Sequence, residues 1–288
     1  MRRSLILFAP LSIGLLALTA PVHSDERPES RYGPKYDLSI SPVYQSEVDI
    51  DGGGSFSHSS GFFRFGASVP VSRYTSAGVS LKYDVDDYEF NGLTEFGGAE
   101  PWNDVSRTGI GLPLFTRFEN SWSLGVTPSV NWLMENGADS GESVSWGATG
   151  FAFRSFDRQR SLGLGLGAFE EVDGDSRVFP FIAIDWQFND RWRLSNPFDA
   201  DALGPAGLEL SYSFNDRWTL GGGTVYRSFR FRLDNEGVAP GGIGENSSVL
   251  GFLRLQRAAQ RGFSVDFYVG AAMSGELALL DAEGNELA

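Results

Sequence analysis

Cysteine is absent from the 288-residue chain, and histidine occurs only twice. The lack of cysteine excludes a lipidated cysteine anchor, disulfide frameworks, thiolate metal sites and thiol nucleophiles. His23 falls in a segment that we expect export to remove, which leaves His58 as the one imidazole of the mature chain. Beyond residue 20 there is no apolar run long enough for a transmembrane helix and no convincing helical periodicity.

The beginning of the chain has the layout of a secretory signal. Arg2 and Arg3 supply a positive end, an apolar run continues to Ala20, and cleavage is expected after Ser24. A permanent membrane anchor is the alternative, but it would need about 20 unbroken apolar residues. We predict a signal peptide at 1–24, a short periplasmic segment at 25–35 and one domain at 36–288.

The net charge of the chain is negative. It is −14 for the whole sequence and becomes −16 once Arg2 and Arg3 leave with the signal. Nucleic acid is therefore an implausible partner. An acidic, exported chain without cysteine also fits a soluble periplasmic or secreted β-protein, and this is the structural alternative.

Apolar and polar residues alternate along most of the remaining chain, which is the pattern of β-strands. Between 122 and 135, for example, the even positions are almost all apolar and the odd positions almost all small or polar, with Leu133 as the exception. Several such runs reach ten to fifteen residues. Sandwich strands usually have about five or six residues, whereas a tilted strand that crosses a membrane needs about 9–11. We therefore expect the apolar faces to meet lipid and the polar faces to enclose a wet interior.

Three short turns share one pattern, in which an aromatic residue, polar turn residues and a tryptophan follow each other. Asn and Asp favour tight turns, and aromatic rings prefer the headgroup boundary of a membrane. The pattern predicts an aromatic girdle on one rim of a barrel. Its members are Phe118, Trp122, Phe188, Trp192, Phe214 and Trp218.

Longer, glycine-rich and acidic connections separate these turns, at 51–61, 91–105, 136–143, 171–177, 197–206 and 234–247. Short turns on one rim and long loops on the other are typical of outer-membrane barrels. The alternating runs predict thirteen strands, at 36–50, 62–71, 78–90, 106–118, 122–135, 143–156, 161–170, 178–188, 191–196, 207–214, 218–233, 248–257 and 263–279. Because bacterial barrels have even strand numbers, we predict an all-β, antiparallel, up-and-down transmembrane barrel of 12–14 strands.

Together, these features resemble bacterial outer-membrane β-barrel proteins of an uncharacterised family, a domain of unknown function. The resemblance covers about residues 36–280 and is architectural. It implies the outer membrane of a Gram-negative bacterium, with outer-membrane lipid, lipopolysaccharide and the barrel assembly machinery as partners. Such barrels end on a strand with a terminal aromatic residue, whereas this sequence ends at Ala288. We therefore expect a closing strand that this sequence does not contain.

Charged residues on the polar faces are candidates for the lumen. Such charges either pair across a barrel and fill it, or surround a water-filled constriction that selects ions. The alternation slips near Gly221 to Gly223, which makes Arg230 and Arg232 weaker candidates. The main candidates are Lys82, Asp84, Arg117, Glu135, Asp185, Glu209, Arg254 and Asp266.

The sequence contains few candidates for a catalytic site or a metal site. His58 and Ser60 have the spacing of a base and a nucleophile, with Glu47, Asp49 or Asp51 as orienting acids. We interpret His58 as a solvated histidine on the first long loop. The acidic segments 84–89 and 170–175 could bind Ca²⁺ but lack the spacing of an EF-hand, and we interpret them as solvated loops. No catalytic residue, metal or cofactor is predicted.

The favoured hypothesis is a non-enzymatic outer-membrane barrel that acts as a small-solute pore or a structural envelope protein. One alternative is a lipid-directed hydrolase or acyltransferase that uses His58 and Ser60. Another is a barrel whose acidic loops bind a ligand or cation. The sequence leaves open the solute, the oligomeric state and whether the lumen is open or filled.

Overall fold

The computed structural model describes residues 12–20, 33–51, 53–93, 98–197, 206–259 and 263–287, with the backbone alone for 12–20. In this part of the chain there are fifteen strands and no helix. Consequently, none of the described residues belongs to a helix that is long and apolar enough to cross a membrane. The strands are β1 (Ser12–Ala20), β2 (Lys35–Asp49), β3 (Ser55–Pro70), β4 (Thr75–Asn91), β5 (Asp104–Gly111), β6 (Leu114–Arg117), β7 (Trp122–Glu135), β8 (Val144–Ser155), β9 (Arg160–Glu170), β10 (Ser176–Gln187), β11 (Trp192–Ser195), β12 (Gly207–Ser213), β13 (Trp218–Arg232), β14 (Ile243–Ala258) and β15 (Ser264–Leu280).

Hydrogen-bonded ladders join these strands into a closed barrel. Neighbouring strands are antiparallel, and β1 lies between β15 and β2, so the pairing returns to its starting point. β5 and β6 both pair with β4 and β7, and Pro113, which has no N–H, lies between them. The predicted strand at 106–118 is therefore interrupted. Closing a sheet on itself pairs its first and last strands, which is how barrels avoid unpaired edges.

A second closure divides the barrel near one end. Arg232 of β13 pairs in parallel with Met134 of β7, which completes a smaller ring of the seven strands β7 to β13. This parallel pair is possible because β11 and β12 are short: β12 pairs with β13 only as far as Val225. The last residues of β13 are thus able to reach β7. The sequence did not predict this parallel pair.

The predicted strands all have counterparts in the structure, with two extensions. β3 begins at Ser55 and β14 at Ile243, so residues that we had expected in long loops are strands. Residues 12–20, which lie in the predicted signal peptide, form β1. The rest of that peptide and the predicted cleavage site lie outside the described residues, so its removal stays a prediction.

Many outward-facing side chains of the barrel wall are apolar. On β9, Leu162, Leu164 and Leu166 are exposed, and Leu164 has 71% of its surface accessible. The intervening glycines face inward, because side chains alternate between the two faces of a strand. The same exposure recurs on strands all round the barrel, at Phe63, Leu81, Ile110, Leu124, Val178, Ile182, Leu210, Leu253 and Met273.

The short turns close through one repeated hydrogen bond. The backbone N–H of Phe188 donates to the carbonyl of Trp192 at 2.9 Å, and Phe214 donates to Trp218 in the same way. The side chain of Asn215 accepts the N–H groups of Arg217 and Trp218, at 2.9 and 3.1 Å. Five of the six predicted girdle residues are exposed and Trp218 is half-buried. These turns define the short-turn end of the barrel, and the loops 136–143, 171–175 and 233–242 define its long-loop end.

A further turn uses a carboxylate in place of the asparagine. Asp157 accepts the backbone N–H of Gln159 at 2.9 Å and the Nε of Arg160 at 2.7 Å. The hydrogen bond from Arg160 holds the pKa of Asp157 below its usual value. The turn is therefore built for an ionised side chain.

Candidate functional site

His58 lies inside the barrel, near its long-loop end. We expected this histidine on a solvated loop, and that prediction is wrong: His58 is part of β3 and only 6% exposed. Its ring stacks on Tyr88, with the centroids 4.6 Å apart. The error came from placing the start of β3 too late, since the run of serines before Gly61 has no apolar alternation.

The spacing of His58 and Ser60 does bring the two side chains together. Ser60 Oγ lies 2.7 Å from His58 Nε2. The acid beside them is Asp86 of β4, whose Oδ1 is 2.9 Å from the same nitrogen and 2.6 Å from Ser60 Oγ. The acids that the sequence suggested lie elsewhere. Of these, Glu47 accepts a hydrogen bond from Ser55 at 2.5 Å.

This arrangement does not activate Ser60. In a catalytic triad one ring nitrogen holds the acid while the other takes the proton of the serine. Here a single nitrogen, His58 Nε2, faces both Ser60 and Asp86. If that nitrogen carries the proton that Asp86 accepts, it has no lone pair left for the serine. The cluster therefore satisfies a buried carboxylate, since Asp86 also accepts from Arg107 at 2.7 Å.

Three arginines converge on one buried phenylalanine beside this cluster. The guanidinium carbons of Arg64, Arg107 and Arg227 lie 5.6, 5.8 and 5.3 Å from the centre of the Phe62 ring. Cations at such distances over a ring face are attracted by its quadrupole. Arg64 also forms an ion pair with Asp84, one of the predicted lumen residues.

Three other predicted lumen residues form a second ion-pair network. Arg254 donates through Nε to Glu209 at 2.8 Å and through a terminal nitrogen to Asp266 at 2.9 Å. Both carboxylates are 2% exposed. The structure therefore brings these three residues together, and they pair with each other.

The remaining predicted lumen residues are separate from both networks. Asp185 forms a half-exposed pair with Arg193 at 2.7 Å. Arg117 lies over the Phe115 ring near the short-turn end. Glu135 ends β7 and accepts the backbone N–H groups of Asn103 and Asp234, at 2.9 and 3.0 Å. Its carboxylate thus holds two loops at the long-loop end.

Arg230 and Arg232 lie on the face of β13 opposite to the buried Phe231. Arg230 forms ion pairs with Glu245 and with Asp173 of the 171–175 loop. Arg232 donates to the carbonyl oxygen of Gly241 at 3.0 Å. Their contacts tie β13 to loops at the long-loop end.

The segment 84–89 is not the solvated loop that the sequence suggested. It belongs to β4, where Asp84 and Asp86 are buried while Asp87 and Glu89 are exposed. Alternation along a strand separates neighbouring carboxylates onto opposite faces. Within the described ranges, no group of three or more histidine, aspartate or glutamate side chains is placed to hold a metal ion.

Side chains from opposite walls meet across the long-loop end. Trp102 packs edge-on against Phe231, with the ring centres 5.4 Å apart. Nearer the middle, Asn246 donates to the hydroxyl of Tyr88 at 2.9 Å. Leu133, the residue that broke the predicted alternation, packs against the same apolar cluster. The lumen is therefore filled at this end.

The inner face of β6 and β8 to β10 is lined with phenylalanines, which sequence reasoning missed. Four of their rings lie over a glycine of the neighbouring strand, so that a Cβ on Gly165 would overlap the Phe181 ring. The planes of Phe169 and Phe179 are 6° apart. All six side chains are half-buried. We call this set the phenyl wall: Phe115, Phe151, Phe153, Phe169, Phe179 and Phe181.

Comparisons with known proteins add little to this description. No family model matches the chain, and no curated protein sequence matches it. Among solved structures the chain is similar to CdiB from Escherichia coli, with 11% identity and a TM-score of 0.31. The match covers 83% of this chain and 50% of the CdiB chain, so this chain spans half the length of that protein. The closed β-barrel is thus established by the structure alone, and no family match supports the predicted uncharacterised family.

Proposed function

We propose that this chain is a non-enzymatic outer-membrane β-barrel, with strands that cross the bilayer up and down and a lumen for small solutes. The observation that carries the proposal is the belt of exposed apolar side chains round the barrel wall. Soluble monomers rarely expose contiguous apolar patches of more than a few hundred Å². Acyl chains would cover this belt, whereas water would not.

Two further features support a membrane location. Aromatic residues such as Phe118 and Trp192 are exposed beside the short turns, where an interfacial girdle would lie. Buried ion pairs lie on the inner face, where Arg254 and Glu209 pair. A charge that faces lipid is costly, so this distribution favours lipid outside and water inside.

The filled long-loop end favours a closed or gated pore over an open one. Contact between Trp102 and Phe231 obstructs the lumen there, so solute passage needs the separation of these walls. We expect low conductance from the wild-type protein. Removal of both rings should raise it.

Planar-bilayer recording of the refolded protein tests the pore. The double variant Trp102→Ala, Phe231→Ala should show larger and more frequent conductance steps than the wild type. The variant Trp146→Ala, Phe63→Ala, which removes two aromatic rings from the outward face, is the control. Absence of conductance in every variant would remove the pore and leave the structural envelope role, whereas recovery of the protein in the soluble fraction would contradict both.

The contact between His58 and Ser60 favours one second candidate, a lipid-directed hydrolase or acyltransferase. Two observations argue against this candidate: Ser60 is buried, and His58 Nε2 faces both Ser60 and Asp86. Lipid hydrolysis or acyl transfer by the refolded protein that His58→Ala abolishes would establish this candidate. Unchanged lipid turnover in that variant would end it.

A further inference from the structure

Four cations and two carboxylates face each other in the middle part of the lumen. Arg64 and Arg107 have carboxylate partners, since Asp84 and Asp86 pair with them. Lys82 and Arg227 differ, because no carboxylate among the described residues lies within ion-pair distance of either side chain. We call Arg64, Lys82, Arg107 and Arg227 the cation cluster.

The cations of this cluster are close together. Arg64 of β3 is directly opposite Lys82 of β4 in the ladder, an arrangement in which like charges repel. Arg227 and Arg107 both lie over the Phe62 ring, within 6 Å of its centre. The side chains of Arg64 and Arg107 are only 18% and 13% exposed, so repulsion at these positions is screened less than at a surface.

Hydrogen-bonding capacity is also unused there. The Nε–H of Arg107 is buried and has no partner among the described residues. Lys82 remains exposed to the lumen, so the cluster is not sealed from solute. A buried donor without a partner in a native structure is often explained by an ion or a water molecule that binds it.

We propose that the cation cluster is a binding site for small oxyanions, such as inorganic phosphate or a carboxylate. Arginine presents donors that match two oxygens of a carboxylate or phosphate, and Lys82 adds a point charge. An anion would neutralise the positive charge of the cluster that Asp84 and Asp86 do not balance. In a chain with a net charge of −14, this local excess of cations would draw acidic solutes into the lumen.

The inference rests on the proposed function, because it assumes a lumen that solutes can enter. It is tested with the refolded protein in phosphatidylcholine nanodiscs, by titration with inorganic phosphate, acetate and glucose and subtraction of empty nanodiscs. Phosphate and acetate should bind, and glucose should not. Arg227→Gln should weaken phosphate binding at least about tenfold, the loss expected for a charge-assisted hydrogen bond. Arg117→Gln, which removes an inward cation near the short-turn end, should leave binding unchanged.

A second measurement separates an anion site from a structural role of Arg227. In buffer without oxyanions, Arg227→Gln should raise the thermal midpoint, because it removes an unpaired charge. Phosphate should raise the midpoint of the wild type and not of this variant. If Arg227→Gln does not fold, Arg227→Lys, which keeps the charge and loses the paired donors, should bind phosphate more weakly than the wild type.

Two outcomes would overturn the inference: equal phosphate binding by wild type and Arg227→Gln, or no oxyanion binding by a correctly inserted barrel. Loss of inorganic phosphate binding when the nanodiscs contain phosphatidic acid would assign the site to lipid headgroups rather than to free solutes. A protein that does not insert into membranes would instead contradict the proposed function itself.

Discussion

Two parts of the barrel interior are built on different principles. The part formed by β3 to β5 carries buried charges such as Asp86 and Arg107, which contact each other directly. Another part of the interior, formed by β8 to β10, carries phenyl rings such as Phe181 that lie against glycines. A buried charge is stable only beside an opposite charge, whereas the packing of a ring on a glycine depends on how well their shapes fit. We therefore expect the stability of β3 to β5 to fall when one member of an ion pair is removed. We expect the stability of β8 to β10 to fall when a side chain is enlarged.

The largest effect is expected from Asp86→Ala. This change removes the acceptor of Arg107, His58 and Ser60 and adds to the excess of positive charge. Loss of one partner of a buried pair costs about 3–5 kcal/mol. Equilibrium urea unfolding in lipid vesicles measures the loss. Asp87→Ala, at the exposed neighbouring position, should change stability by less than about 0.5 kcal/mol, and equal effects would refute the difference between the faces of β4.

A smaller effect is expected in the phenyl wall from Gly165→Ala. The added Cβ would overlap the Phe181 ring, which has to move or strain the wall. Overpacking of this kind costs about 1–3 kcal/mol. Gly150→Ala is the matched control, because its nearest neighbour would lie 3.7 Å away. If both variants unfold at the same urea concentration, the rings do not lie where we describe them.

The smallest effect is expected from Asp185→Asn, which removes one partner of a more exposed ion pair. Asp185 and Arg193 also form an ion pair in the lumen, but both side chains are about half exposed. Exposed pairs contribute about 0–1 kcal/mol. The same urea titration should give a change within that range. A loss of stability as large as that of Asp86→Ala would mean that exposure does not determine how much these ion pairs contribute to stability.

The sequence predicted the strands well and their contacts across the lumen poorly. Alternation with period two locates a strand and its two faces, as it did for β7 and β9. It does not say which strands lie opposite each other, so the parallel contact of Met134 with Arg232 was not foreseen. That contact depends on the short β11 and β12, whose consequence appears only in the closed barrel.

The candidate site shows the same limit. Local spacing was enough to pair His58 with Ser60, because both side chains project from one face of a strand. The acid came from another strand, and only the register of β3 with β4 identifies Asp86. The phenyl wall left a signal that could have been used, since Phe179 and Phe181 alternate with Val178 and Ile182, which makes both faces of β10 apolar.

The predicted signal peptide contains β1, so the mature chain cannot both lose this peptide and keep this strand. Cleavage after Ser24 would remove β1 from its position between β15 and β2. Mass spectrometry of the membrane-inserted protein decides between them. We expect an N-terminus at Asp25, in which case another segment or a direct pairing has to join β2 and β15. Retention of residues 12–20 would make β1 a permanent strand and the signal prediction wrong.

The central claim, that the outer wall faces acyl chains and the inner wall faces water, is tested most directly with nitroxide labels. The chain has no cysteine, so Leu164→Cys on the outward face of β9 and Thr149→Cys on the inner face of β8 give single labels. In vesicles, the label at 164 should collide with oxygen and be shielded from a water-soluble nickel chelate, and the label at 149 should show the reverse. Equal access of the nickel chelate to both labels would contradict the account.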